Sequence, residues 1–234
     1  MFGALIVAAG KGKRMDSDTP KQFMMLNNKH VVVHTAETFF MMQDFFKKIV
    51  LVIPPGSMDL CRDIFSDIYF GDEDFFTMVE GGKERQDSVL KGLLKLIGDD
   101  IKVVSIHDGA RPMVSASLIR ETANKALKEG AVIPVVELKD TIKEVNGEGE
   151  VVKTVLRDRY RLVQTPQCFR KEIIMDSFKK AGEEGFYGTD DASLVERAGY
   201  KVSTFPGEAS NIKLTTPEDF AFAEMILERG EANL

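Results

Sequence analysis

Four short runs, ALIVAA (4–9), KIVLVI (48–53), KVVSI (102–106) and AVIPVV (131–136), are apolar at nearly every position instead of at every second one. A strand written that way buries both of its faces, which happens in a parallel sheet covered by helices on each side. Between the runs, near 30–43, 57–69, 84–97 and 115–128, apolar residues recur at three-to-four spacing, as helices with one buried stripe require. The order strand, helix, strand, helix predicts an α/β fold: a Rossmann-like, doubly wound, mostly parallel sheet flanked by helices. Ligands of such sheets sit outside the carboxyl ends of the strands, and each charged loop here follows a strand.

One stretch departs from this rhythm. VVELKDTIKEVNGEGEVVKTVLRDRY (135–160) places strand-like residues on both sides of NGEGE, with Asn146-Gly147 as the turn signal. The expected hairpin is too polar to be buried on both faces, and a two-stranded ribbon alone is marginal in water. It therefore leans either on the parent sheet or on a second subunit.

Composition excludes several classes of function. No apolar run approaches the roughly 20 residues that cross a bilayer, and the start MFGALIVAAG lacks a basic leader, so a soluble, cytoplasmic protein is expected, with no membrane partner. Cys61 and Cys168 form no framework pattern, which favours a reducing compartment. A net charge of -6 argues against a general nucleic-acid binder. Against that acidic background, Lys11, Lys13, Arg14 and Lys21 cluster behind the first strand, and local cations on an acidic chain point to a small anionic ligand.

The loop carrying them fits neither common phosphate cradle. Gly10 and Gly12 are followed by Met15 where a dinucleotide fingerprint needs a third small residue, and no Walker A string occurs. What remains is backbone that can approach an anion closely, and a lysine, Lys21, fixed behind Pro20. A strand, a small-residue turn and a fixed lysine suit a triphosphate whose charge must be held during reaction. Asp108 ends the strand at 102–107, where a carboxylate can meet Mg²⁺ or a sugar hydroxyl; a turn aspartate is the plainer alternative. Arg111 either binds substrate or pairs with Asp108. His30 and His34 have i, i+4 spacing but no third ligand, so they read as ordinary helix residues.

The string A-A-G-x-G-x-R-M followed by P-K-Q resembles the nucleotidyltransferases that join a nucleoside triphosphate to a sugar or polyol phosphate. GGKERQDSV (81–89), HDGARP (107–112), KDTIK (139–143), TPQCF (165–169), TDDAS (189–193) and NIKLTTPED (211–219) narrow the resemblance to the 2-C-methyl-D-erythritol 4-phosphate cytidylyltransferases. These motifs run from residue 4 to about 224, so nearly the whole chain is covered.

The resemblance implies transfer of a cytidylyl group from CTP to a polyol phosphate, with Mg²⁺ or another divalent cation as cofactor. It also implies a single nucleotidyltransferase domain over 1–234, a homodimer, and an arm at about 137–156 that completes the partner's active site. By motif matching, Arg14 and Lys21 stabilise the transition state, while Arg157 and Lys213 align the acceptor phosphate. Ala8, Ala9, Gly10, Gly12, Gly82, Ser88 and Asp108 match nucleotide-binding positions, Asp108 also as the metal ligand. Arg111, Thr141, Arg157, Thr165, Thr189 and Lys213 match acceptor-binding ones. Lys83 stands where some members carry an acidic residue beside the base. A ribitol 5-phosphate cytidylyltransferase shares several of these motifs and is the alternative activity; a noncatalytic nucleotide-binding regulator on the same fold is the more distant one.

Overall fold

The computed structural model of the chain describes residues 1–10, 20–66, 68, 74–98 and 100–228. In chain order the strands are β1 (Phe2–Val7), β2 (Met25–Leu26), β3 (Lys29–His30), β4 (Phe46–Ile53), β5 (Phe76–Glu80), β6 (Val103–Asp108), β7 (Ala131–Glu137), β8 (Ile142–Val145), β9 (Val151–Val155), β10 (Arg161–Val163), β11 (Gln167–Arg170) and β12 (Ser203–Pro206). The helices are α1 (Val31–Phe40), α2 (Met58–Ile64), α3 (Arg85–Leu96), α4 (Ala116–Glu129), α5 (Lys171–Glu183), α6 (Asp191–Arg197) and α7 (Pro217–Glu228). The main sheet runs β10-β7-β11-β6-β1-β4-β5, with β12 added parallel to β7. β5, β4, β1 and β6 are mutually parallel, which bears out three of the four apolar runs. The fourth, β7, pairs antiparallel with β10 and β11 and parallel only with β12, and β5 had no apolar run to announce it.

Alternation across the sheet explains why those runs are continuously apolar. In β1, Ala4 and Ile6 join the core beneath α1, α2 and α4, while Leu5 joins the opposite core under α3, α5 and α6. β4 divides in the same way, Ile49, Leu51 and Ile53 to one side and Val50 and Val52 to the other. α3 presses close enough to the sheet that a Cβ at Gly92 would stand 2.3 Å from Leu5 Cδ1. Its start is fixed by a reciprocal cap in which Asp87 Oδ2 accepts the Glu84 amide at 3.0 Å. α4 starts at Ser115, whose Oγ accepts the Leu118 amide, and ends at Gly130 in a positive φ of 98°.

Three expectations change in detail. β11 is a reversed strand between β6 and β7; its four residues begin with the polar Gln167 and carry no run long enough to announce a strand. α2 stops at Ile64 instead of continuing to 69. The hairpin forms, β8 antiparallel to β9, but its turn is organised by the Asn146 side chain, whose Oδ1 accepts the amides of Glu148 and Glu150. The left-handed residue there is Gly149, at φ 84°, and not Gly147. The hairpin is a separate two-stranded sheet with Val145, Val151 and Val152 exposed. No helix among the described residues is long and apolar enough to cross a membrane.

Candidate active site

The carboxyl ends of β1, β5 and β6 open on one side, and there lie many of the described residues singled out in the sequence, Thr141 and Arg157 excepted. At the end of β1 the Ala8 amide still donates to Val52 O at 2.8 Å, so Ala8 remains buried in the ladder while Gly10 emerges exposed. Gly12 and Arg14, like Lys11 and Lys13, lie outside the described residues. The chain is tied again just beyond: Gln22 Nε2 donates to Gly10 O at 2.9 Å, and Phe23 buries its ring beneath. This 3₁₀ turn, Lys21–Phe23, directs Lys21 Nζ to the Leu214 carbonyl at 2.9 Å, beside Lys213. His30 and His34 bind the carbonyls of Phe23 and Leu26, so both hold this turn and its small hairpin as plain structural residues.

After β5 the backbone passes through Gly81 and Gly82. Ser88, buried on α3, accepts the Gly82 amide at 3.0 Å and donates its hydroxyl hydrogen to Glu84 O. Its donor is thus committed, and the hydroxyl shapes the glycine turn that would face a base. A Cβ on Gly81 would lie 2.6 Å from both Ala9 Cβ and Ser88 Oγ, so only glycine lets the β1 and β5 ends meet.

Asp108 closes β6 as the electrostatic centre. Lys213 Nζ stands 2.7 Å from its Oδ2, Arg85 Nη2 stands 3.4 Å from its Oδ1, and Arg111 Nε lies 4.0 Å from Oδ2. Burial opposes its ionisation, but Arg85, Lys213 and Arg111 together hold its carboxyl well below the usual carboxylate range. Arg111 turns most of its fork inward, donating to Asn211 O at 2.8 Å and Val163 O at 3.4 Å. The pairing and the inward placement both accord with the second of its two readings, without removing the residue from the rim of the site.

Beneath Asp108 a buried hydrogen-bond set fixes its place. His107 Nε2 lies 3.1 Å from Arg111 O, a carbonyl that can only accept, so this nitrogen carries the hydrogen. His107 Nδ1 then accepts the Thr165 hydroxyl at 3.0 Å, and Thr165 Oγ1 in turn accepts the Asp108 amide at 3.1 Å. Complete burial pushes the imidazole down to about 4, so it is neutral at pH 7. Thr165 spends its one donor on this set, leaving only acceptor capacity toward a ligand.

Lys213 is set by Asn211, fully buried, whose Nδ2 donates to Thr165 O at 2.8 Å and whose carbonyl receives Arg111 and Gln164. Thr189 immediately precedes Asp190 and Asp191, and Asp191 binds Arg85 through both carboxylate oxygens, at 3.0 and 2.8 Å. Burial pushes the Asp191 carboxyl up against the pull of Arg85. Thr141 and Arg157 lie instead on the hairpin side. Arg157 donates to the Lys139 carbonyl, and among the described residues no hydrogen bond or ion pair joins either residue to Asp108.

Sequence reasoning left out Arg85, Asp191, Asn211 and Gln164. The first three sit inside the motifs GGKERQDSV, TDDAS and NIKLTTPED, and the signal available was an arginine, an aspartate and an asparagine in strings otherwise assigned to ligand contact. Among the described residues there is no group of three His, Cys, Asp or Glu side chains that would cage a metal. A lone carboxylate does fit Mg²⁺ in its common mode, in which one or two protein carboxylates share the ion with substrate phosphates and water.

Comparison with known proteins shows the family. The family model described as 2-C-methyl-D-erythritol 4-phosphate cytidylyltransferase matches residues 2–229. The chain is 41% identical over 233 residues to the protein of that name from Syntrophus aciditrophicus, spanning 99% of this chain and 97% of its relative. It is 43% identical to the one from Geobacillus kaustophilus, covering 97% and 96%. The crystal structure of 4-diphosphocytidyl-2C-methyl-D-erythritol synthase from Anaerococcus prevotii superposes with a TM-score of 0.83 at 34% identity, covering 97% of this chain and 98% of that one. With its mostly parallel sheet, glycine turns and an aspartate held by Lys213, Arg85 and Arg111 at the strand ends, this chain belongs to the 2-C-methyl-D-erythritol 4-phosphate cytidylyltransferase family.

Proposed function

We infer that the chain transfers the cytidylyl group of CTP to 2-C-methyl-D-erythritol 4-phosphate, giving 4-diphosphocytidyl-2-C-methyl-D-erythritol and pyrophosphate, a step of non-mevalonate isoprenoid biosynthesis in the cytoplasm. The observation that carries the reading is that Lys21, bound to the Leu214 carbonyl, is brought from the opposite end of the chain next to Lys213, which holds Asp108.

The acceptor is a phosphate monoester with roughly -1.5 to -2 charge near neutral pH, and so is a nucleophile without a protein base. The barrier is repulsion between two anions, and the chain answers it with fixed cations. Lys21 and Arg14 offset charge that builds on the α-phosphate in the transition state, while Lys213 and Arg157 hold the acceptor phosphate in line. The turns at Ala8–Gly10 and Gly81–Gly82, with Gly12 and Ser88, receive the nucleotide. Arg111, Thr141, Thr165 and Thr189 border the acceptor. Asp108 is the residue that would hold Mg²⁺, which when bound supplies charge neutralisation on the phosphates.

The single domain works as a homodimer in this reading. Arg157 and Thr141 are carried on an arm with exposed valines, the arrangement expected of residues that serve a partner's site. The test is pyrophosphate release from CTP and Mg²⁺ with each of two acceptors, 2-C-methyl-D-erythritol 4-phosphate and ribitol 5-phosphate. Turnover with the first at least 100-fold above the second is expected. Preference for ribitol phosphate, or CTP binding with no turnover on either, overturns the reading.

A further inference from the structure

Three consecutive residues at the start of α3 grip the loop that leads into α6. Arg85 holds Asp191 through both nitrogens of its fork, at 3.0 and 2.8 Å, and reaches Asp108 with the second. Gln86 closes a pair of hydrogen bonds with backbone, Nε2 donating to Phe186 O at 3.0 Å and Oε1 accepting the Gly188 amide at 3.0 Å. Asp87 Oδ1 accepts the Tyr187 hydroxyl at 3.2 Å. From the other side Gln167, on β11, donates to Asp190 Oδ2 at 2.7 Å and accepts the Ala192 amide at 3.0 Å. Thr189 lies in the middle of this loop, with its neighbours clamped on both sides. The loop itself is tightly folded, for a Cβ on Gly188 would stand 2.3 Å from Ser193 Oγ.

The location is unexpected for what the gripping residues belong to. They follow directly on Gly81 and Gly82, in the motif assigned to the nucleotide, yet their side chains point to the segment assigned to the acceptor. We propose that Arg85 and Gln86 are positioning residues for the polyol phosphate, holding the loop that carries Thr189 and, through the second nitrogen of the Arg85 fork, the carboxylate of Asp108 in the geometry the acceptor needs. The proposal rests on the reaction inferred above. Its physical basis is pre-organisation: a loop ordered before the acceptor arrives spares the cost of ordering it on binding, so the benefit falls on acceptor affinity. Arg85 suits its place because a planar fork can satisfy a fully buried carboxylate with two hydrogen bonds at once.

The variant that tests this is Gln86→Met, which keeps the bulk of the side chain and removes its two hydrogen bonds without orphaning a buried charge. Its KM for 2-C-methyl-D-erythritol 4-phosphate should rise about tenfold, the size of two modest hydrogen bonds. The Kd for CTP with Mg²⁺, by calorimetry, should stay within about twofold, and kcat at saturating acceptor should change less than KM. Arg85→Lys, which keeps the charge and loses the fork, should raise the same KM further; because Arg85 also touches Asp108, CTP affinity is the discriminating readout for Gln86→Met alone. An unchanged acceptor KM in both variants, or a matching loss of CTP affinity in Gln86→Met, overturns the proposal. Failure of the underlying reaction shows up in the parent chain, as absence of turnover with this acceptor; failure of the clasp shows up only in the variants.

Discussion

Lys213 Nζ and Asp108 Oδ2 stand 2.7 Å apart, joining the last β-to-helix loop to the central strand β6 across 105 positions of sequence. The lysine is partly exposed and the aspartate mostly buried, so the lysine is the member able to turn to an incoming phosphate. Lys213→Ala should lower kcat about 100-fold or more, the scale of removing one transition-state donor. Urea unfolding should shift by no more than about 1 kcal/mol, because Arg85 and Arg111 remain around the carboxylate and keep it compensated. A large loss of stability with kcat intact would make the pair structural.

Lys21 tests the other cation. It is fixed by the turn at Lys21–Phe23 and not by the nucleotide, so Lys21→Ala should reduce kcat steeply, about 100-fold, with the KM for CTP within about threefold. Steady-state kinetics with CTP varied would show it. A raised KM at normal kcat would reassign Lys21 to ground-state binding.

His107 predicts an acid limit to stability. Its folded value of about 4 lies below the unfolded 6.5, so between these values the unfolded chain binds more protons and stability falls as pH falls. The contribution is complete above pH 6.5 and is lost progressively down to about pH 4, on the order of 3 kcal/mol. Asp108 is depressed too, but its share is lost only below the ordinary aspartate value of 3.8. His34 adds to the loss and Asp191, whose value is raised, works against it, so the comparison must be differential. Urea unfolding of the parent and of His107→Gln at pH 6.5 and 4.5 should show the smaller pH slope in the variant; equal slopes would remove His107 from this account.

Gly81 has no room for a methyl group between Ala9 and Ser88. Gly81→Ala should therefore separate the β1 and β5 turns, raising the Kd for CTP about tenfold and lowering stability by about 1–3 kcal/mol. Calorimetric titration with CTP and thermal unfolding measure the two effects. A variant with parental CTP affinity would show that the turns bind independently.

The hairpin β8–β9 exposes Val145, Val151 and Val152 and pairs with no strand of the main sheet. If these valines seat on a second copy, Val152→Asp should convert a dimer into a monomer by light scattering and abolish turnover with the same change. An active monomer would refute the shared site.

The sequence displayed most of the parallel half of the sheet because β1, β4 and β6 are buried on both faces and so cannot be mistaken for amphipathic segments. β11 was hidden because it is short and is made a strand by its neighbours on both sides; nothing in QCFR alone demands it. The site residues were legible where chemistry dictates residue type, in the glycines and in Lys21, Asp108 and Lys213. Arg85, Gln86 and Asn211 were not, because their work is to hold backbone and carboxylates contributed by distant loops, and that work leaves no local pattern. Thr165 and Ser88 show the converse: both are well placed, yet each hydroxyl hydrogen is already spent inside the protein.

The reversed strand β11 also governs when the molecule can be completed. β6 has β1 on one side from early in synthesis, but its other edge waits for residues 167–170, some sixty positions later. Until the ribosome has delivered that stretch, a nascent chain carries an open strand edge down its middle, and this interval is when it is most prone to stick to another copy.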